Sequence, residues 1–204
     1  MSQLNQQQRL PSLTAQVSSS DHVQGQEDAK VTVVEYGDFE CAVCGQAYHA
    51  VKILRERFGT HMRFVFRNFP LREVHPGAEL AAEAAEAAGG QDRFWQMHDL
   101  LFENQCHLKA ENLREYAAKT GLELGRFDRE MRDHLYRQRV QKDVDSGTKS
   151  HIQSTPAFFV NGVLHDVSFG LEHLEQAIDE ELNCLAITSI PASVQTNSED
   201  MRRL

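Results

Sequence analysis

The order of apolar patterns along the chain predicts an α/β fold. A β-α-β half and a β-β-α half are separated by an all-helical insertion. Three observations carry this reading. The run KVTVVEYG (residues 30–37) is followed by apolar residues at helical spacing and then by an alternating stretch, HMRFVFRNFP (61–70). From about residue 74 to 150 every periodic segment is helical. The stretch TPAFFVNGVLHDV (155–167) sets two apolar runs around Asn161-Gly162 and leads into one more amphipathic segment.

Each element has a local reason. KVTVVEYG is rich in β-branched residues and stops at Gly37, and its nearly continuous apolar run predicts a strand buried on both faces. Ala47, Val51, Leu54 and Phe58 then lie four, three and four apart, one face of a helix that Gly59 closes. In HMRFVFRNFP the beats are Met62, Phe64, Phe66 and Phe69, a second strand ended by Pro70. A strand-helix-strand order predicts parallel strands with a right-handed crossover.

The insertion begins with GAELAAEAAEAAGG, strong helix formers closed by two glycines. FWQMHDLLFENQ, KAENLREYAAKTG and ELGRFDREMRDHLYRQRVQKDVDSGTKS continue it. Asn161-Gly162 between apolar runs is a hairpin signal. LEHLEQAIDEEL closes the fold with Leu171, Leu174, Ala177, Ile178 and Leu182 facing inward. The expected division is a disordered segment over 1–20, a folded domain over 21–186 with its insertion at about 74–150, and a disordered tail over 187–204.

Net charge is −9 with neutral histidines, which argues against a nucleic-acid partner, since that needs a basic stripe. The polar opening MSQLNQQQRLPSLTAQVSSS carries no apolar signal-peptide region. No run approaches the roughly 20 apolar residues of a membrane helix. The expected location is cytoplasmic, where a structural disulfide framework is disfavoured and a C-x-x-C pair points to redox or metal chemistry.

That pair is Cys41 and Cys44, at the junction of the first long strand and its helix. Cys41 falls at the helix N-terminus, where free N–H groups and the positive dipole end favour a thiolate. Cys44 is one turn on, within the ~4.4–6.8 Å Cα separation of a disulfide, and lies on the core-facing stripe. One exposed, activated thiol and one covered thiol suit attack followed by resolution. Asp38 and Glu40 oppose ionisation, so only modest activation is expected. Two inert thiols remain the plain alternative. A zinc site would need two further ligands, and there is no second C-x-x-C.

The segments VVEYGDFECAVC, FRNFPL, HPGAELAAEAAEAAG, FWQMHDLLFENQ and STPAFFVNG together resemble the thioredoxin superfamily. Within it they resemble the DsbA-like thiol–disulfide oxidoreductases, over residues 21–182. The resemblance implies a thioredoxin-like fold with a helical insertion. It implies Cys41 as nucleophile and Cys44 as resolving thiol. It places a buried acid at Glu35, which helps move the proton of the resolving thiol. A carboxylate inside an apolar strand is costly unless it has a use; the alternative is that Glu35 points to an open sheet edge. Thr155-Pro156 stands where the family has a substrate-binding cis-proline loop; on the residues alone an ordinary trans proline at a strand start is the alternative. The dipeptide between the cysteines is Ala42-Val43 rather than the Pro-His of the family's strong periplasmic oxidant, which fits a cytosolic reductase, isomerase or peroxide-defence role better.

The implied partners are protein or peptide disulfides and thiols and a redox partner, with no metal, organic cofactor, nucleic acid or membrane. The rival reading is a thioredoxin-like peptide-binding or chaperone module with a redox-sensing cysteine pair; a small zinc protein is the third. Cys106 and Cys184 have no counterpart at a telling spacing and read as incidental thiols. His75, before Pro76, reads as part of a loop turn, and His165 lies in the short strand after the hairpin. Phe94 and Trp95 read as packing residues of the insertion.

Overall fold

The computed structural model describes residues 11–165, 167, 170 and 172–188. Five strands make one sheet: β1 (His22–Gln24), β2 (Val31–Gly37), β3 (Met62–Asn68), β4 (Ala157–Val160) and β5 (Val163–His165), in the order β1-β3-β2-β4-β5. Helix α1 (Ala42–Phe58) joins β2 to β3. The insertion consists of α2 (Ala78–Gly89), α3 (Phe94–Glu103), α4 (Ala110–Lys119), α5 (Leu124–Arg132) and α6 (Arg137–Lys149). Helix α7 (Glu172–Thr188) follows the hairpin. This is the thioredoxin-like α/β arrangement read from the sequence.

β2 and β3 run parallel, with Val33 opposite Phe64 and Glu35 opposite Phe66. β4 runs antiparallel on the other side of β2, with Glu35 opposite Phe158. β2 is therefore the central strand, and Glu35 does not lie at a sheet edge. The β4–β5 turn is Asn161-Gly162, with φ of 46° and 85°; both residues take the left-handed conformation that a two-residue hairpin demands. Strand β1 has no signal in the sequence. It is three residues long, and its pairing with β3 supplies what its composition does not.

The two faces of the sheet are covered differently. Val33, Phe64, Phe66, Phe158 and Val160 pack under α1, α3 and α7, using Val51, Leu54, Met97, Leu101, Leu174 and Ile178. Val34, Tyr36, Val65 and Phe159 face the opposite way and form a second, smaller cluster with Phe69 and Ile152.

Leu13 completes that second cluster, so the expectation of disorder over 1–20 fails for residues 11–20. The Leu13 N–H donates to the Gly162 carbonyl at 2.8 Å, and the Leu164 N–H to the Pro11 carbonyl at 3.0 Å. Ser12 bridges to Val163. The physical reason is the sheet itself: β5 offers free backbone groups at its edge, and the apolar face beside α6 needs cover. Residues 1–10 lie outside the described residues. At the other end, residues 187 and 188 continue α7, while the expected tail from 189 onward and Leu171 lie outside the description.

Candidate active site

Strand β2 delivers the chain to the edge of the core and stops at Gly37. A tight turn follows, in which the Cys41 N–H donates to the Asp38 carbonyl at 3.2 Å. Helix α1 starts directly after it, with Cys41 as its N-cap residue and the Gly45 N–H closing the first turn on the Cys41 carbonyl at 3.1 Å. Gln105, after α3, fastens this turn from outside. Its amide nitrogen donates to the carbonyls of Phe39 at 2.9 Å and Cys41 at 2.8 Å.

Cys41 and Cys44 are both buried and lie side by side. Cys41 is only 7% exposed, so the expectation of an open leading thiol is corrected to a largely covered one. What covers it is the Thr155-Pro156 loop, which crosses from the far end of the chain. The Cys41 Sγ stands 3.5 Å from the Thr155 carbonyl oxygen. The Thr155–Pro156 peptide bond is cis. The Thr155 hydroxyl is buried without a regular partner, yet lies close enough to the Cys41 sulfur to favour its thiolate.

These surroundings pull the two thiols far apart in acidity. The Cys44 thiol donates to the Cys41 sulfur, and this is the largest influence bringing Cys41 down to about 5. Burial opposes it. The backbone N–H groups of Cys44 and Val43 and the Thr155 hydroxyl add to the lowering. In the thiol form Cys41 makes no side-chain cap bond; once ionised, its sulfur takes the place of an N-cap oxygen. Cys44 is pushed far upward, first by burial, then by its role as donor and by the charges of Glu35 and Cys41. The expected modest activation of Cys41 is thus an underestimate.

The acids that prompted that expectation are otherwise employed. Asp38 accepts from the N–H groups of Glu40 and Leu71, both at 2.8 Å, and from His75 Nδ1 at 2.8 Å. Glu40 accepts from the Gly77 N–H at 2.7 Å. Both carboxylates therefore tie the loop after β3 to the active-site turn. His75 belongs to this bracket. Burial lowers its pKa, but the hydrogen bond and charge of Asp38, with the charges of Cys41 and Glu40, outweigh that and raise it. Sequence spacing could not find His75 or Gln105, which come from loops far along the chain. The one signal for His75 was its place in the quoted HPGAELAAEAAEAAG segment.

Glu35 lies beneath the pair, 2% exposed, with Oε1 lacking any partner. Burial, followed by the charge of Cys41, raises its pKa to about 8. The structure thus gathers Cys41, Cys44, Glu35, Thr155 and Pro156 at one place. Cys106 and Cys184 are both exposed. Among the described residues, no group of three or more His, Cys, Asp or Glu is arranged to hold a metal ion. None of the described helices is long and apolar enough to cross a membrane.

A family model described as thioredoxin matches residues 17–180. The chain belongs to the thioredoxin family. As a thioredoxin-family domain it is similar to BdbD from Bacillus subtilis, at 27% identity and a TM-score of 0.75, covering 85% of this chain and 96% of that one. It shares its fold with alpha-DsbA1 from Wolbachia pipientis, at 21% identity and a TM-score of 0.71, covering 84% and 96% respectively. The domain is therefore DsbA-like, with its helical insertion between β3 and β4. A curated relative named Na(+)/H(+) antiporter NhaA 1, from Salinispora arenicola, is 49% identical over 158 residues. That match takes in 78% of this chain and 24% of the relative, so the chain spans about a quarter of the length of such relatives. The fold and the paired thiols are those of thiol–disulfide oxidoreductases in general.

Proposed function

We propose that this domain is a thiol–disulfide oxidoreductase acting on protein or peptide substrates, with Cys41 as nucleophile, Cys44 as resolving thiol and Glu35 as the proton acceptor. The observation that carries this reading is the placement of Cys41 at the start of α1, its Sγ 3.5 Å from the Thr155 carbonyl of the facing loop, with fully buried Cys44 one turn further on.

The Cys41 thiolate attacks one sulfur of a substrate disulfide. A mixed disulfide forms and the other substrate sulfur leaves as a thiolate. This step removes the negative charge at Cys41, one of the two causes that keep Glu35 protonated. Glu35 then gives up its proton and becomes a base for Cys44. Cys44 passes its proton to Glu35, attacks the Cys41 sulfur and releases the second substrate thiolate. The domain ends oxidised and the substrate reduced by two electrons; the reverse sequence oxidises a dithiol. Because the surroundings stabilise the thiolate, they stabilise the reduced domain, which makes the couple a better electron acceptor than an unperturbed pair.

The Thr155-Pro156 loop is the proposed substrate rest, pairing with an extended peptide as an added strand would. Exposed Val43, between the cysteines, and Val74, in the loop that Asp38 and Glu40 hold, offer apolar contact beside the sulfur. Since a relative named Na(+)/H(+) antiporter NhaA 1 matches this chain over only 24% of its own length, a thiol-bearing transporter belongs among the substrates to assay.

The test is insulin reduction with dithiothreitol, comparing the parent protein with Cys41→Ser. The parent should turn over and the variant should not. Equal rates in both would remove the enzyme reading, and aggregation suppression retained by the variant would then favour the peptide-binding module.

A further inference from the structure

The reaction above needs a way out for the Glu35 proton, because the acid is almost fully buried. Two buried polar atoms without partners point to one: Glu35 Oε1 and His98 Nε2. Both residues line the same cavity of about 30 Å3, together with Gln24, Lys52, Arg55 and Asp99. Roughly 10–15 Å3 is enough for one water molecule, provided polar groups are there to hold it.

His98 sits in α3 with its ring wedged among Phe39, Phe66, Trp95 and Phe102, at centroid distances of 4.8–5.7 Å. Its Nδ1 is 2.9 Å from Asp99 Oδ1. An ionised carboxylate only accepts, so Nδ1 carries the proton and Nε2 presents a lone pair. The Asp99 side chain is 43% exposed and reaches water. An aromatic cage closes the inner ring of this histidine, while its neighbour opens to solvent.

We propose that His98 and Asp99 form a proton relay that connects Glu35 to solvent through a water in this cavity. The proposal rests on the reading of Glu35 as the base for Cys44. When Glu35 ionises, its O–H proton passes to the water, and the water gives a proton to His98 Nε2. His98 then releases its Nδ1 proton to Asp99, which hands it to bulk water. No electron moves in these steps. The imidazole ends with its proton on Nε2 instead of Nδ1. In a full redox cycle Cys44 loses a proton once and regains one once, so the relay runs outward and then inward, and the starting tautomer returns. The charged groups facing this route are Arg55 and Lys52 from α1, with His22 from β1 acting on His98 at longer range.

His98 and Asp99 touch no substrate, so they are positioning and relay residues, not catalytic ones. The test separates the two chemical steps by stopped flow with glutathione disulfide as the probe. Attack is followed in a Cys44→Ser background, and resolution in the presence of Cys44. Asp99→Asn and His98→Phe should leave attack within about twofold and slow resolution roughly tenfold or more. Adding either change to Glu35→Gln should bring little further slowing, because the relay has then lost its inner end. Asp99 is on the surface, so its variant reports even if His98→Phe does not fold. Resolution at the parental rate in Asp99→Asn, or equal slowing of both steps, overturns the relay. If Glu35→Gln itself resolves at the parental rate, the base reading falls first; if Glu35→Gln is slow and Asp99→Asn is not, only the relay falls.

Discussion

The two faces of the sheet handle buried polar groups in opposite ways. On the face beside α6, Arg67 is almost fully buried and every donor it owns is used. It donates to both Asp21 carboxylate oxygens at 2.8 and 3.1 Å, to the Ala15 and Gln16 carbonyls at 2.9 and 3.2 Å, and to the Tyr36 hydroxyl at 2.8 Å. The Tyr36 hydroxyl lies 2.8 Å from Ser146 Oγ as well. On the face beneath α1, Glu35 Oε1 and His98 Nε2 have no partner, nor has the Thr155 hydroxyl above them. A buried group that is matched holds the fold together, whereas one left unmatched raises free energy and persists where it has work to do. The contrast sets the candidate site apart from the Arg67 cluster on the other side of the sheet.

The largest effect should come from breaking the matched face. Arg67→Met leaves the Asp21 carboxylate buried without its cation, and should cost about 3–5 kcal/mol in urea unfolding. The pH midpoint of Cys41 alkylation should remain near 5 in the same variant. If that midpoint moved, the two faces would not be independent.

Next in size is Glu35→Gln, which sharpens the contrast by acting with the opposite sign. A folded-state pKa raised from 4.5 to about 8 means that the stability Glu35 contributes is complete below pH 4.5 and is lost as pH rises through 8. The glutamine variant escapes that loss. Relative to the parent it should gain nothing at pH 4 and up to about 5 kcal/mol above pH 8, read from denaturation across pH. Resolution by Cys44 should slow in the same protein.

A smaller effect is expected at Thr155→Val. Losing the hydroxyl should raise the Cys41 midpoint by up to about one unit, or roughly 1.4 kcal/mol. The corresponding fall in reduction potential is about 30 mV, measured against glutathione. The smallest belongs to Arg114→Ala, whose exposed pairing with Asp128 at 3.0 Å lies outside both faces. It should change stability by less than about 1 kcal/mol and leave the alkylation midpoint untouched.

Much of the site was legible in the sequence because it is local. Cys41 and Cys44 sit one helical turn apart at a strand-to-helix junction, and both facts follow from residues 31–58. Glu35 was placed at the site through the resemblance, and its charge inside an apolar run agrees with that. Thr155-Pro156 was placed opposite the cysteines only through the resemblance, since nothing in its spacing reports that it lies 3.5 Å from Cys41. The near-complete burial of Cys41 was not legible for the same reason: the residues that cover it come 114 positions later. Residues 11–20 misled because a short polar segment with one leucine has no period to read; the apolar face it covers is made by other strands. His98 was hidden by its own motif, where FWQMHDLLF reads as an ordinary apolar helix face.

By itself the sequence determined what depends on neighbours within a turn or two: the strand, the helix start at Cys41, the Asn161-Gly162 hairpin and the helical insertion. Only the tertiary structure decided how far apart the two thiols titrate and how completely the acid beneath them is buried. It also decided where that acid meets a histidine. Those outcomes are set by removal from water and by dipoles that distant segments bring within a few ångströms, and neither is written in the spacing of residues along the chain.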